Sequence, residues 1–417
     1  PDNYFDAVIT DPPYYDNVYY SVLSDFFYVW LKRTIGHLYP ELFATPLTPK
    51  SEEMVMDRIR HKNPAEAKAW FEAQFLKAMR EIHRVLKPDG IAVIVFAHKT
   101  TEAWETVLNA LLQAGLYPTA SWPIHTEMKT RLRAQESAAV ASSIYLVCRK
   151  RTSAAVGYWS EVRPKVQAQV ERRLSQFWDA GIRGADLFMS AIGPAMEAFG
   201  QYARVERGTG EPVSAAELLE LVQQTVSTYA LKRILHEDAH AGDLDPLSRF
   251  YLLYRWSYGR AEVPFDEARK LAASVGLELT QVWGAGQVVE PRGEKVRVLA
   301  PQERAWGVRP SGWGRRVGRD EGDQLSLLTE LGEKSEVAVE AWEALLEQVG
   351  CSLIEALQLA CVLWEGGQHG WLAQLLKGKG YGGRPVFWLL AQAVAEVLPS
   401  GDKEKQLLQG LLAHWQR

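Results

Sequence analysis

The sequence predicts an α/β fold, with its sheet in the first 150 residues and a mainly helical region behind it. Three observations predict this. Short apolar runs at 5–9, 91–96 and 143–148 are rich in β-branched residues and too short for helices. Longer segments at helical spacing separate them. Beyond residue 151 the helical spacing dominates, interrupted by one candidate hairpin near 287–299.

The first strand is read as buried, from Phe5, Ala7, Val8 and Ile9. Pro12 and Pro13 end it, because each fixes φ and lacks a backbone donor. Asp11-Pro12-Pro13-Tyr14 is then a rigid corner, followed by the polar and aromatic loop Tyr15-Asp16-Asn17-Val18-Tyr19-Tyr20. A helix is expected at 22–35, with Ser21 as N-cap and Gly36 as stop. Its Leu23, Phe26, Phe27, Trp30 and Leu31 are expected in the core. Residues 37–63 are irregular and carry the basic cluster Arg58, Arg60, His61 and Lys62. A helix at 69–86 has Pro64 near its first turn. A turn at 86–90 leads into a fully buried strand at 91–96. Ala97, His98, Lys99 and Thr100 follow at that strand's end. A helix at 101–114 leads to the segment 117–122, and the last strand is closed by Arg149, Lys150 and Arg151. Residues 1–151 therefore form the first expected domain.

A helical region is expected at 152–240. It contains an amphipathic segment at 162–178, a Gly-rich stretch at 184–199 that suits a close-packed helix pair, and a helix at 214–235 opened by Ser214 and Glu217 at capping-box spacing. Residues 241–319 read as a helix–hairpin module, with helices at 245–258 and 265–275 and strands at 277–282, 287–289 and 296–299. Helix, helix and hairpin suggest a winged-helix-like unit. Its basic loop holds Arg292, Lys295, Arg297, Arg304, Arg309, Arg315, Arg316 and Arg319, with Trp306 and Trp313 interleaved, a combination suited to backbone and base contact. Residues 320–417 turn acidic and read as a helical bundle ending near Trp415.

Composition bounds the rest. The chain is 47% hydrophobic and 24% charged, with net charge −4, so its balance is that of an ordinary globular protein. Residues 1–150 carry 17 basic and 17 acidic side chains, so any nucleic-acid contact must come from local patches. No apolar run approaches the roughly 20 residues of a membrane span, and no signal peptide is visible. Cys148, Cys351 and Cys361 are far apart. That spacing makes neither a zinc ribbon nor a disulfide framework, so a reducing cytoplasm is the expected location. The chain opens on Pro1 just ahead of a strand, which suggests a piece of a longer or split protein.

The chemistry centres on the corner at residues 11–14. In open α/β sheets ligands bind beyond the carboxyl ends of the strands. There a carboxylate and a proline carbonyl can accept the two hydrogens of an exocyclic amino group. A tyrosine ring can stack on the base that carries it. Asp11-Pro12-Pro13-Tyr14 resembles the catalytic motif of S-adenosylmethionine-dependent amino methyltransferases, most often the adenine-N6 DNA enzymes. The element order resembles the carboxyl half of the Rossmann-like class I methyltransferase sheet, in which a final strand inserts antiparallel. The resemblance implies catalytic roles for Asp11, Pro12, Pro13 and Tyr14. Substrate contacts are expected from the neighbouring Tyr15, Asp16 and Asn17, and from His98 and Lys99 on the same rim. Lys129, Arg131 and Arg133 alternate in sequence, so an extended loop would point all three one way, toward phosphate. The glycine-rich cofactor loop of that family is absent. Trp283-Gly284-Ala285-Gly286 reads as a hairpin loop instead.

The corner, the segment 23–33, and the stretches 184–199 and 245–260 together resemble one family. It is the large bacterial and archaeal adenine-specific DNA methylases that carry a DUF1156 amino-terminal domain and a zinc ribbon. The resemblance implies the cofactor S-adenosylmethionine, no metal in this chain, and DNA with a flipped adenine as substrate. It also implies a partner, either a missing amino-terminal half or a separate subunit. Two alternatives stay open: methylation of cytosine N4 or of RNA, and a non-catalytic DNA- or partner-binding role in a defence system.

Overall fold

A four-stranded mixed sheet carries the Asp-Pro-Pro-Tyr corner. It is built from β1 (Phe5–Thr10), β2 (Leu86–Phe96), β3 (Leu116–His125) and β4 (Ser142–Lys150), in the order β1-β2-β4-β3. β1 runs parallel to β2, and β4 lies antiparallel to both of its neighbours. The computed structural model describes residues 1–15, 18–57, 60–61, 63–98, 100–125, 142–236, 243–284, 287–304, 342–343, 345–346, 349 and 352–416. The architecture is mixed α/β. The described residues fall into two units. One is drawn from 1–129, 140–173 and 189–219, the other from 174–188 and 220–417. Among the described residues no helix is long and apolar enough to cross a membrane.

In the first unit, helices α2 (Pro64–Val85) and α3 (Thr101–Gln113) connect the strands. Asn63 caps α2 by accepting the Glu66 N–H at 2.9 Å, and Pro64 occupies the first turn, where its missing donor costs nothing. Phe71, Phe75 and Met79 of α2 and Trp104, Val107, Leu108 and Leu111 of α3 are fully buried. So are Ala92, Ile94 and Phe96, which alternate along β2 and therefore share one face. Phe96 meets Trp104 edge-on at 5.0 Å. Ile91 and Val93, on the other face, are only half-buried.

Four expectations are corrected here. The first strand is not buried. β1 is a sheet edge, and Phe5, Ala7 and Ile9 are exposed, Ile9 to 74%. The expected turn at 86–90 belongs to β2. Phe5 lies opposite Leu86 and Ala7 opposite Ile91, so the Lys-Pro-Asp-Gly residues are taken up as a bulge within the strand. A Cβ at Gly90 would lie 2.8 Å from the Leu86 side chain, which explains the glycine. Ser21 is not an N-cap. It sits inside α1 (Tyr20–Ile35), and both its N–H and its hydroxyl donate to Glu53. The aromatic run of α1 is not core. Ser21 is the buried residue of that helix, while Phe26 and Phe27 are each 66% and Trp30 56% exposed. Polar tethers hold α1 to the segment that follows it. Lys50 reaches Asp25 at 2.8 Å, and Tyr28 donates to the Thr45 carbonyl at 3.0 Å.

The unit also takes in most of α4 (Trp159–Asp179) and α5 (Ala185–Phe199), the start of α6 (Ala215–Ile234), and a short parallel pair, β5 (Val156–Tyr158) with β6 (Arg204–Glu206). The Gly-rich stretch forms one helix, not a pair. A Cβ at Gly193 would lie 2.0 Å from the Ser121 side chain, so this glycine permits close approach of α5 to β3. The capping box that opens α6 is present: Ser214 N–H donates to Glu217 at 2.9 Å and Glu217 N–H to the Ser214 hydroxyl at 3.2 Å.

In the second unit, α7 (Pro246–Tyr258), capped by Asp245, and α8 (Phe265–Ser274) flank a small sheet. Its strands are β7 (Val263–Pro264), β8 (Val289–Arg292) and β9 (Lys295–Val298), in the order β7-β9-β8. The strand expected at 277–282 is instead a 3-10 turn at Leu279–Gln281. Helices α9 (Leu353–Glu365), α10 (His369–Ala373), α11 (Pro385–Val397) and α12 (Lys403–Trp415) complete the unit. Its core holds a charged cluster. Arg255 of α7 reaches Asp402 at 2.7 Å and Glu404 at 3.1 Å, with all three side chains under 5% exposed. Tyr251 donates to Glu404 at 2.8 Å, and Arg260 reaches Asp402 at 3.0 Å. Of the expected basic loop, Arg304 is buried against Glu355 at 2.9 Å, so it is a core ion pair and not a surface contact. Arg292 and Arg297 both pair with Glu290. Trp306, Trp313, Arg309, Arg315, Arg316 and Arg319 lie outside the described residues.

Candidate active site

The carboxyl end of β1 carries the corner. Asp11 is exposed, Pro12 is buried, and Pro13 and Tyr14 are half-buried. The Tyr14 hydroxyl donates to Asp11 Oδ1 and also interacts with the Ser143 hydroxyl. Burial and the Asp11 carboxylate together push the Tyr14 phenol well above its usual pKa, so it stays a donor at neutral pH. The Tyr14 ring meets Phe96, the last residue of β2, edge-on at 5.4 Å. One carboxylate, one hydroxyl pair and one aromatic ring thus converge beyond the ends of β1 and β2.

Tyr15 packs against different partners. It is buried and holds φ at 55°, a left-handed conformation that few side chains adopt without support. That support is visible. Its ring meets Phe71 of α2 at 5.2 Å and His98 at 5.8 Å, both edge-on. Its hydroxyl reaches Glu102 of α3 at 3.4 Å, and its carbonyl accepts the Met56 N–H at 3.1 Å. Lys68 reaches the same Glu102 carboxylate at 2.8 Å. Tyr15 thus anchors the corner and presents little surface to a ligand.

His98 is also buried. Its Nδ1 accepts the Thr100 N–H at 3.2 Å and lies 2.8 Å from the Thr100 hydroxyl. Its carbonyl accepts the Trp104 indole N–H at 2.9 Å, and its ring stacks on Phe96 at 6.4 Å. The structure therefore brings together Asp11, Pro12, Pro13, Tyr14, Tyr15 and His98. Asp16, Asn17, Lys99, Lys129, Arg131 and Arg133 lie outside the described residues.

Ser143, Phe71, Glu102 and Lys68 were missed by sequence reasoning. Ser143 had a signal. A last strand inserted antiparallel brings its amino end to the carboxyl end of its neighbour β2, and Ile144 pairs with Phe96. Among the described residues, those that follow β1 and β2 do not fit the glycine-rich turn of a dinucleotide-type cofactor loop, because no glycine occurs in 11–35 or in 97–114. Among the described residues no group of three or more His, Cys, Asp or Glu side chains is arranged to hold a metal ion. No protein-family model, no curated protein and no solved structure matches this chain.

Proposed function

We propose that the chain is the catalytic-motif half of an S-adenosylmethionine-dependent DNA methyltransferase acting on adenine N6, akin to the adenine-specific DNA methylases it resembles. The observation that carries this reading is the corner itself. Asp11, Pro12 and Tyr14 stand at the carboxyl end of β1, in a sheet ordered β1-β2-β4-β3 with β4 antiparallel. That order fits the carboxyl half of a Rossmann-like class I methyltransferase sheet. The sheet β7-β9-β8 beside α7 and α8 likewise supports a winged-helix-like module.

A flipped adenine brought out of the duplex would stack on Tyr14. Its amino hydrogens would be accepted by the Asp11 carboxylate and the Pro12 carbonyl. These acceptors orient the nitrogen lone pair away from the protein, and orientation is the main contribution such a site makes. Tyr14 occupies one acceptor site of Asp11 Oδ1, and the carboxylate has further acceptor sites to offer an amino hydrogen. S-adenosylmethionine would supply the electrophilic methyl from a site that the described residues do not build. In this reading a cofactor-binding half, on the same polypeptide or on a partner subunit, completes the enzyme. The free edge of β1 and the exposed apolar residues of α1 are in keeping with such a companion.

Asp11→Ala in the protein joined to its cofactor-binding half is expected to abolish methyl transfer and leave the thermal midpoint unchanged. Mass analysis of the DNA nucleosides checks it, and transfer retained by the variant sinks the reading. N4-methylcytosine as product would move the assignment to cytosine. The absent glycine loop favours a second reading, a DNA- or partner-binding component without turnover. Wild-type protein giving no methylated nucleoside in any combination would select it.

A further inference from the structure

The second unit holds a cluster of arginine and aromatic side chains that the reading above does not use. The Arg183 guanidinium lies 3.9 Å from the ring centre of Trp178, in the last turn of α4. Trp256 of α7 stacks on the same indole at 6.0 Å with 24° between the planes. Tyr229 of α6 meets Trp178 edge-on at 6.1 Å. Arg233, one turn further along α6, lies 5.5 Å over the Tyr229 ring and donates to its hydroxyl at 3.0 Å. Gly184 makes this possible. Its φ is 60°, and a Cβ there would lie 3.0 Å from the Trp256 carbonyl, so the chain turns tightly against the end of α7.

Two features set the cluster apart from ordinary packing. Arg183 is exposed, and Trp178, Tyr229, Arg233 and Trp256 are half-buried, so the rings keep open surface. Arg183 also forms no ion pair with a carboxylate among the described residues. Its Nη1 donates to the Trp178 and Ile182 carbonyls, and Asp179 and Arg233 are among the charges that act on it. Two guanidinium groups are thus held near each other beside aromatic faces. Desolvation disfavours the charged form of Arg183 while Tyr229 and Asp179 favour it, and its side chain stays at the surface.

Phosphate is the anion that planar guanidinium groups match best, and a base is the flat partner that indole and phenol rings match. We infer that the cluster of Trp178, Arg183, Tyr229, Arg233 and Trp256 binds an unpaired DNA strand. Arg183 and Arg233 take a backbone phosphate, and the open aromatic surface takes a neighbouring base. The inference rests on the reading of DNA as substrate and extends it to a second contact, apart from the Asp11 corner in chemistry and in role. The competing account is that Arg183 only caps α4 through the Trp178 carbonyl.

The test is binding of a fluorescein-labelled oligodeoxythymidylate of about ten nucleotides, read by anisotropy on the whole chain at several salt concentrations. Arg183→Gln with Arg233→Gln is expected to weaken binding about tenfold or more. It should also flatten the slope of log K against log salt by roughly 0.7 for each phosphate that the protein no longer neutralises. Arg183→Lys with Arg233→Lys keeps the charge and should retain most of the slope. Trp256→Leu should weaken binding without changing the slope, and should narrow the preference for the oligonucleotide over a base-free backbone of equal length. Unchanged affinity and slope in the double Gln variant, with a lowered thermal midpoint, would leave Arg183 as a helix cap and overturn the inference. So would a wild-type chain that does not bind the oligonucleotide. Methyl transfer is not the readout, so failure here leaves the Asp11 reading standing, and failure of that reading leaves this binding measurable.

Discussion

Two helices of similar apolar content have opposite fates in this molecule. α1 contains Val22, Leu23, Phe26, Phe27, Trp30 and Leu31, and all six are exposed. α9 contains Leu353, Ile354, Leu357, Leu359, Val362 and Leu363, and all six are buried. Burying a large apolar side chain contributes on the order of 1.5–3 kcal/mol, so α9 is held by its core. α1 is held instead by a few polar tethers, Ser21 to Glu53 and Asp25 to Lys50. The difference teaches that apolar periodicity records a demand for cover. It does not say which surface meets that demand. An exposed apolar face of this extent is in keeping with the companion half proposed above.

The comparison can be broken most sharply at the cluster that anchors the packed region. Arg255→Met leaves Asp402 and Glu404 buried with less compensation. Breaking a buried pair this way costs about 3–5 kcal/mol, so the urea midpoint of the second unit should fall by a matching amount. A loss under about 1 kcal/mol would mean that water already reaches the cluster.

Acidity sharpens the same point. Burial outweighs both Arg255 and the Tyr251 hydroxyl and raises the Glu404 carboxyl from 4.5 to about 7. The folded state therefore binds this proton more tightly than the unfolded state. The stability it contributes is complete below pH 4.5 and is lost as pH rises toward about 7, where it levels off. The total is of the order of 3 kcal/mol. Asp402 acts oppositely. Burial alone would raise its carboxyl, but the Arg260 hydrogen bond and the Arg255 charge hold it below the usual range, so its contribution is lost in acid. Glu404→Gln should flatten the dependence of the urea midpoint between pH 5 and 7. An unchanged slope would assign the dependence to other groups.

Close packing in the first unit gives a smaller effect. Gly193→Ala drives a Cβ into the Ser121 side chain and should cost about 1–3 kcal/mol. Combining it with Ser121→Gly should recover part of the loss, and strictly additive losses would show that α5 and β3 do not meet there.

The smallest effect is expected on α1. Phe26→Ser with Trp30→Ser should move stability by no more than about 0.5 kcal/mol per site and should lower binding of a hydrophobic dye. A loss of several kcal/mol would mean that this face is covered in the molecule in solution.

How much was legible follows from the range of each interaction. The helix start at Ser214 could be read because a capping box is made by residues three positions apart. The antiparallel insertion of the last strand was implied only by the family resemblance of the element order. The strand expected at 277–282 was not, because a short apolar run does not distinguish a strand from a packed 3-10 turn. Of the candidate site, the corner at 11–14 was legible because its members are neighbours in sequence. The buried role of Tyr15 was not. Its partners Phe71, His98 and Glu102 come from α2, from the residues after β2 and from α3, and they meet only when the sheet forms.

The α/β order of elements, the Ser214–Glu217 capping box and a carboxylate–proline–tyrosine corner at the end of the first strand were fixed locally. These depend on local backbone chemistry, which acts over a few residues. Only the tertiary structure decided that β1 is an edge, that α1 stands uncovered, that Ser143 reaches Tyr14, and that Arg255 is locked between two carboxylates. Each of those depends on which distant surfaces are brought together. Burial, and with it the strength of every charge and hydrogen bond at the site, is a property of that assembly and not of any stretch of chain.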